Sequence, residues 1–406
     1  PRARPPRTRL RLARTARRDE RGRAVTAADE VTRAVGAVMD PELRRPIGEL
    51  GMVRGARVDD GTAWVDIALT VAGCPAAARI ESDVRAAALS VPGVASAEIA
   101  VGVMDAQERA RLTEMLRAGR PARSMPFGPD SLTRVIAVTS GKGGVGKSTL
   151  TALLATSLAA RGLRVGLIDA DVHGFSIPGI LGLVGPDGTP PQPTRIDDLM
   201  LPPVAHGVKV ISIGMFLRRG SGEEPLGAVA WRGPMLHRTV QQFLTDVHFG
   251  DLDILLLDMP PGTGDVAISV GQLLPHAEVI VVTTPQRAAA DVAIRSGLVA
   301  RQTGQRVLGV VENMAPLTLP DGTVLDLFGS GGGELVATAL QTDAEPVPLL
   351  GSIPLSQGVR ASGDAGDVHL VTDAGDPAAA AIEAVADAVL GSGRGLSGRS
   401  LPMRVR

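Results

Sequence analysis

From residue 133 onward, short and largely apolar runs alternate with longer stretches of mixed polarity. The runs read RVIAVT (134–139), RVGLID (164–169), VKVISIG (208–214), LDILLLDM (252–259), AEVIVVT (277–283) and RVLGVVENM (306–314). Their interiors lack the polar alternation of a half-exposed strand, so they are expected to be covered on both faces, as in a parallel sheet. Helices predicted over 148–161, 234–248 and 286–302 supply that cover. A final helix is expected from Asp376, a capping carboxylate, with Pro377 in its first turn.

Residues 25–104 follow a different pattern. A helix is predicted near 27–39, then the turn DPEL (40–43), an alternating strand AWVDIALT (63–70), a helix over 75–90 after GCP, and a last strand SAEIAVGV. Residues 105–132 are charged and punctuated by Pro and Gly, and read as a helical piece followed by a linker. The expected fold class is therefore α/β, a parallel-sheet domain over 133–392 preceded by a small α+β domain, with a flexible tail over 393–406.

Charge separates the first residues from the rest. Residues 1–23 hold ten arginines against Asp19 and Glu20, which is +8; with a net charge of −1, the other 383 residues carry −9. Residues 1–24 read as a disordered Arg-rich leader, with a transit-like or nucleic-acid-binding arm as the other reading. An acidic body gives little general attraction for nucleic acid or anionic lipid, and no run reaches the ~18 to 20 apolar residues that a membrane helix needs. Neither nucleic acid nor membrane is expected as a partner. The single cysteine, Cys74, excludes a disulfide within the chain and points to a cytoplasmic setting.

Only three lysines occur, at 142, 147 and 209, in a chain that otherwise uses arginine. Two of them sit in TSGKGGVGKSTL (139–150), which fits G-x-x-x-x-G-K-[ST] as Gly141, Gly146, Lys147 and Ser148, after a predicted strand and before a predicted helix. Backbone N–H groups of such a turn converge on phosphate oxygens, helped by the helix N-terminus. Lys147 supplies the charge for the β- and γ-phosphates, and Ser148 a hydroxyl for magnesium. Lys142 cannot easily fold back onto phosphates bound by its own loop, which suggests a charge delivered across a dimer interface. Asp169 and Asp171 lie at the end of one predicted strand, where a helix-capping role is the alternative, and Asp258 ends another. A carboxylate directly after four apolar residues is costly to bury without a cation, so Asp258 is expected to face magnesium. Gly262 and Gly264 follow in a loop able to rearrange.

With these residues the chain resembles the deviant Walker class of dimeric ATPases, which contains ParA, MinD and nitrogenase iron protein. The resemblance implies a P-loop NTPase domain that binds ATP and magnesium through Gly141, Lys142, Gly143, Gly144, Val145, Gly146, Lys147, Ser148 and Thr149. It implies that Lys142 acts in trans, that Asp169 lies near the magnesium shell, and that Asp171 orients the attacking water, so Lys142, Lys147 and Asp171 are the catalytic candidates. By the same resemblance Asn313 meets the base edge and Pro354 flanks the ring.

Longer stretches, among them DADVHGFSIPGILGL, WRGPM and DMPPGTGD, are similar to the Mrp/ApbC group of iron-sulfur cluster carriers, and residues 25–104 resemble SufT/PaaD-like assembly domains. This implies a homodimeric, magnesium-dependent ATPase that transfers clusters to apo client proteins or assists assembly factors. Two alternatives stand beside it: an adaptor without a bound cluster, and a MinD- or ParA-like positional switch. Many members of the group carry a C-x-x-C pair after ENM; here that interval holds no cysteine. His173 and Phe175 also replace the usual aromatic and proline. Cys74 is left as a possible cluster ligand, at a helix start where the dipole would lower its pKa, or as a small buried hydrophobe.

Overall fold

The computed structural model describes residues 26–71, 74, 76–118, 121, 124–172, 174–216, 233–319, 321–368 and 375–393. The expected leader, the tail beyond residue 393, His173 and the start of WRGPM lie outside the described residues. The chain divides into two compact units, one up to Leu112 and one from Thr113.

The first unit contains α1 (Ala27–Gly36), β1 (Val53–Asp59), β2 (Thr62–Leu69), α2 (Ala77–Leu89) and β3 (Ser96–Val103); α3 (Ala106–Arg117) follows. Thr26 starts α1 with a capping box: its hydroxyl accepts from the Asp29 N–H, and the Asp29 carboxylate accepts from the Thr26 N–H at 2.9 Å. Strand β2 realises the alternation read from the sequence, with Ala63, Val65 and Ile67 buried and Trp64 and Asp66 exposed. It pairs antiparallel with β1 and parallel with β3. Strand β1 escapes the sequence pattern because VRGARVD has no apolar alternation. Helix α1 stops at Gly36 rather than 39, since Met39 instead bridges Pro46.

The second unit runs β4 (Arg134–Ser140), α4 (Lys147–Ala160), β5 (Val165–Asp169), α5 (Ile177–Ile180), β6 (Thr194–Ile196), β7 (Leu199–Leu201), β8 (Val204–Ala205), β9 (Val208–Ser212) and α6 (Gly233–Thr245). It continues with β10 (Ile254–Asp258), α7 (Asp265–Leu273), β11 (Glu278–Thr283), α8 (Arg287–Gln302), β12 (Arg306–Ala315), β13 (Leu317–Thr318) and β14 (Val324–Leu325). Its last elements are α9 (Gly332–Leu340), β15 (Leu349–Pro354), α10 (Gln357–Ala365) and α11 (Pro377–Gly391).

Eight of these strands form one sheet in the order β15-β12-β11-β4-β10-β5-β9-β8. All neighbours are parallel except the edge pair β8–β9. Every residue of β4, β5, β9, β10 and β11 is buried, the double cover that their apolar runs call for. The run from 208 stops as a strand at Ser212 and tightens into a 3-10 turn over Ile213–Phe216. Four helices were not legible: α5 is a single turn, while α7, α9 and α10 are short and flanked or interrupted by glycine, which reads as loop.

Strand β4 lies between β11 and β10, and the chain crosses from β4 to β5 past β10. Ligands of open parallel sheets sit at the carboxyl ends of strands beside such a crossover. At the other end of β4, Arg134 donates to Glu278, to the Val389 carbonyl and, at 2.9 Å, to the Ser392 hydroxyl, fixing the end of α11 to the sheet.

In the first unit the Arg54 guanidinium donates to Glu108, and the Asp105 N–H adds a second bond; together they hold the Glu108 carboxyl at about 2 against an ordinary 4.5. A depressed folded-state pKa contributes stability above the ordinary value and loses it as pH falls through about 2. Arg54→Met is therefore expected to move the Glu108 titration, followed by NMR, up toward the ordinary carboxylate range. An unmoved midpoint would contradict the assignment.

Candidate functional site

Residues 141–146 join β4 to α4, and the shape of this loop is set by two neighbours. Gly146 has φ +80°, and a Cβ there would lie 2.1 Å from the Asn313 Nδ2 at the end of β12. A Cβ on Gly141 would lie 2.3 Å from the α8 backbone at Val292 and Ala293. The glycines thus admit two elements that grip the loop from either end. Asn313 completes the grip by donating from Nδ2 to the Val145 carbonyl at 2.8 Å. Gly143 and Gly144 are exposed between these anchors, and Ser148 and Thr149 are half-buried at the N-terminus of α4, a ready anion site.

Lys147 points inward. Its ammonium, 6 % exposed, donates to Asp258 Oδ1 at 2.7 Å and lies 4.0 Å from Asp171 Oδ2. Ser148 Oγ donates to the other oxygen of Asp258 at 2.6 Å, and Thr151 Oγ1 lies 3.1 Å from Oδ1. Lys142 points elsewhere: its Nζ donates to Gln286 Oε1 at 3.3 Å, just before α8. The two lysines of the motif therefore occupy different environments, one pinned to a carboxylate and one half-exposed.

Asp169 and Asp258 are register partners on adjacent strands β5 and β10, and both are wholly buried. Asp169 accepts from Ser212 Oγ at 2.9 Å and from the Asp171 N–H at 3.2 Å. Asp171 accepts from the Gly174 N–H at 3.1 Å, which ties it to the start of the segment carrying Phe175. Burial, with the Asp258 charge adding, pushes Asp169 well above the usual carboxylate range. Burial raises Asp258 too, against the donations of Lys147, Ser148 and Thr151. Asp258 and Asp171 thus both face the Lys147 ammonium, with Asp169 beside Asp258 on the next strand, and a divalent cation would favour the charged forms that burial disfavours.

The donor set fits magnesium. Ser148 and Asp258 offer adjacent oxygens of the kind that magnesium takes, and Asp169 is the register partner of Asp258 on the next strand. Among the described residues no group of three His, Cys, Asp or Glu side chains could hold a metal by itself. Magnesium takes one or two protein oxygens and fills its octahedron with water and substrate phosphates.

Pro354 ends β15 opposite Ala315, and Asn313 pairs with Ile353, so the two residues expected near a nucleotide base do share one corner of the sheet. The contact from Asn313 to the loop was not anticipated. Ser212, Thr151 and Gln286 were also missed. Ser212 had a usable signal, a polar residue closing an apolar run as Asp169 and Asp258 do; Thr151 lies one helical turn after Lys147. Gln286 had none.

Of the two readings of Cys74, in the first unit, the structure favours the small buried hydrophobe over the thiol of lowered pKa. Cys74 is 7 % exposed, and burial first, then the charges of Glu42 and Asp40, pushes its thiol up, while backbone donation from Ala76 and Ala77 opposes this only in part. Desolvation outweighs the local dipole, so Cys74 packs as a small hydrophobe.

Residues 131–390 match the family described as NUBPL iron-transfer P-loop NTPase. The chain belongs to this family. Residues 28–101 match a second family, described as iron-sulfur cluster assembly protein. The chain is 53 % identical to the iron-sulfur cluster carrier protein of Mycobacterium tuberculosis, covering 91 % of this chain and 94 % of that one. It is 41 % identical to the protein of the same name from Deinococcus radiodurans, covering 89 % and 95 %. Among solved structures, a nucleotide-binding protein in complex with ADP from Archaeoglobus fulgidus superposes with a TM-score of 0.48 at 36 % identity, covering 58 % of this chain and 87 % of that one. Iron-transfer P-loop NTPase thus describes the unit that carries the loop, and the matched span takes in both anchors, α8 and β12.

The grip on the loop is open to test. Removing one hydrogen bond of about 0.5–1.5 kcal/mol, Asn313→Ala is expected to weaken nucleotide binding about 2- to 10-fold in a fluorescent-nucleotide titration. Gly146→Ala, which also forces the left-handed backbone, is expected to weaken it far more. Equal, negligible effects would show that the loop holds its shape unaided.

Proposed function

We propose that this protein is a magnesium-dependent ATPase that works as a homodimer in the cytoplasm and moves iron-sulfur clusters to apo client proteins. The observation that carries the hydrolytic part is the divergence of the two loop lysines. Lys147 faces Asp258 and Asp171, where it can turn from Asp258 to the β- and γ-phosphates. Lys142 leaves its own loop for Gln286, an exposed neutral partner it can exchange for the phosphates held by a second copy. An ammonium delivered in this way stabilises charge on the transferring phosphoryl group as an arginine finger does.

Asp171 would orient the attacking water, a role supported by its carboxylate lying 4.0 Å from the Lys147 ammonium and accepting from the Gly174 N–H. Ser148 and Asp258 would hold magnesium, which supplies charge neutralisation between the phosphates when bound. Asp169 supports them from the next strand. Asn313 would meet the base edge and Pro354 would flank the ring, and ATP is favoured over GTP because no NKxD-type guanine signature occurs in the sequence. Among the described residues no helix is long and apolar enough to cross a membrane. The cargo is supported by family membership and by the names of the relatives, and the clients by the match of residues 28–101 to an assembly domain.

Two substitutions separate the lysines. Lys147→Ala is expected to abolish tight nucleotide binding, whereas Lys142→Ala keeps binding but loses hydrolysis by about 10²-fold or more, in line with the scale of arginine-finger losses. Equal damage to binding from both variants would contradict the assignment in trans.

A further inference from the structure

The 406 residues contain one cysteine. Iron-sulfur clusters of the two-iron and four-iron types are held by four protein ligands, usually cysteine thiolates. One copy of the chain therefore offers one such ligand and a dimer two. That one is withdrawn as well: Cys74 is buried and makes no disulfide, and its thiol is pushed up in pKa by the burial, while the thiolate is the ligating form. Within one copy, no group of three His, Cys, Asp or Glu among the described residues could hold a metal ion either.

Resting on the iron-transfer reading above, we propose that the thiolates that hold a cluster while this protein handles it belong to the partner proteins. The chain then acts on clusters already seated in another protein's cysteines, and its partners are proteins presenting three or four cysteines around a solvent-reachable cluster. The chemistry is ligand exchange without a change of oxidation state. Each acceptor thiol gives up a proton as its sulfur bonds to iron, and each departing donor thiolate takes a proton as its bond to iron breaks. Nucleotide state in the second unit would govern when donor and acceptor are held, so the energy of ATP is spent on the partners' encounter rather than on a cluster bound to this chain.

The test uses the full chain in two anaerobic arms. In the first, it is incubated with ferrous iron and sulfide, passed through gel filtration without small thiols, and analysed for iron and for visible charge-transfer absorbance. The expected result is iron no higher than a buffer blank. In the second, a cluster-loaded, affinity-tagged four-cysteine ferredoxin is the donor and untagged apo-ferredoxin is the acceptor, and the acceptor's gain of cluster is followed with and without the chain and magnesium ATP. The expected result is a several-fold faster gain when both are present. A cluster that stays with the chain alone through gel filtration overturns the proposal while leaving iron transfer standing. An acceptor whose gain is unchanged sinks the iron-transfer reading, and the proposal falls with it.

Discussion

Buried carboxylates govern the second unit: Asp169 and Asp258 stand side by side on β5 and β10, and the Lys147 ammonium lies 2.7 Å from Asp258 and 4.0 Å from Asp171. Breaking a buried pair by removing one partner costs about 3–5 kcal/mol, so Lys147 cannot leave Asp258 without a replacement charge. Magnesium bound with a triphosphate would supply that charge, and the phosphates would give Lys147 a new anion. The geometry links the two events, since Ser148 donates to the carboxylate that Lys147 would vacate. On the proposed function, ligand binding would be an exchange of partners around Asp258.

The scaffold keeps that exchange local. The loop is held at Gly141 by α8 and at Val145–Gly146 by Asn313 at the end of β12, two elements on one side of β4. Asp169 and Asp258 come from strands on the other side. Because β4 is packed on both faces, neither group moves easily toward the other. The exposed part of the loop is Gly143 and Gly144, with Lys142 half-exposed beside them.

Much of this was legible in the sequence because the chemistry sits at element boundaries that composition marks. Fully apolar runs located the six central strands, and polar residues closing those runs located Asp169 and Asp258. The scarcity of lysine singled out Lys142 and Lys147. What was not legible depends on three-dimensional approach: Asn313 against Gly146, α8 against Gly141, and Gln286 beneath Lys142 are juxtapositions of residues more than a hundred positions apart. Strand β1 was missed because pairing with β2, rather than its own pattern, makes it a strand. For Cys74 the sequence offered a dipole and a burial argument of opposite sign, and the structure decides for burial.

The central claim, that the buried carboxylates require a divalent cation together with the nucleotide, is most directly tested by thermal unfolding of the full chain in ATP with magnesium and in ATP with EDTA. A ligand that binds only the folded state raises the melting temperature in proportion to its affinity. The buried carboxylates beside Lys147 predict a clear rise with magnesium ATP that is largely lost with EDTA. An equal rise under both conditions would contradict it.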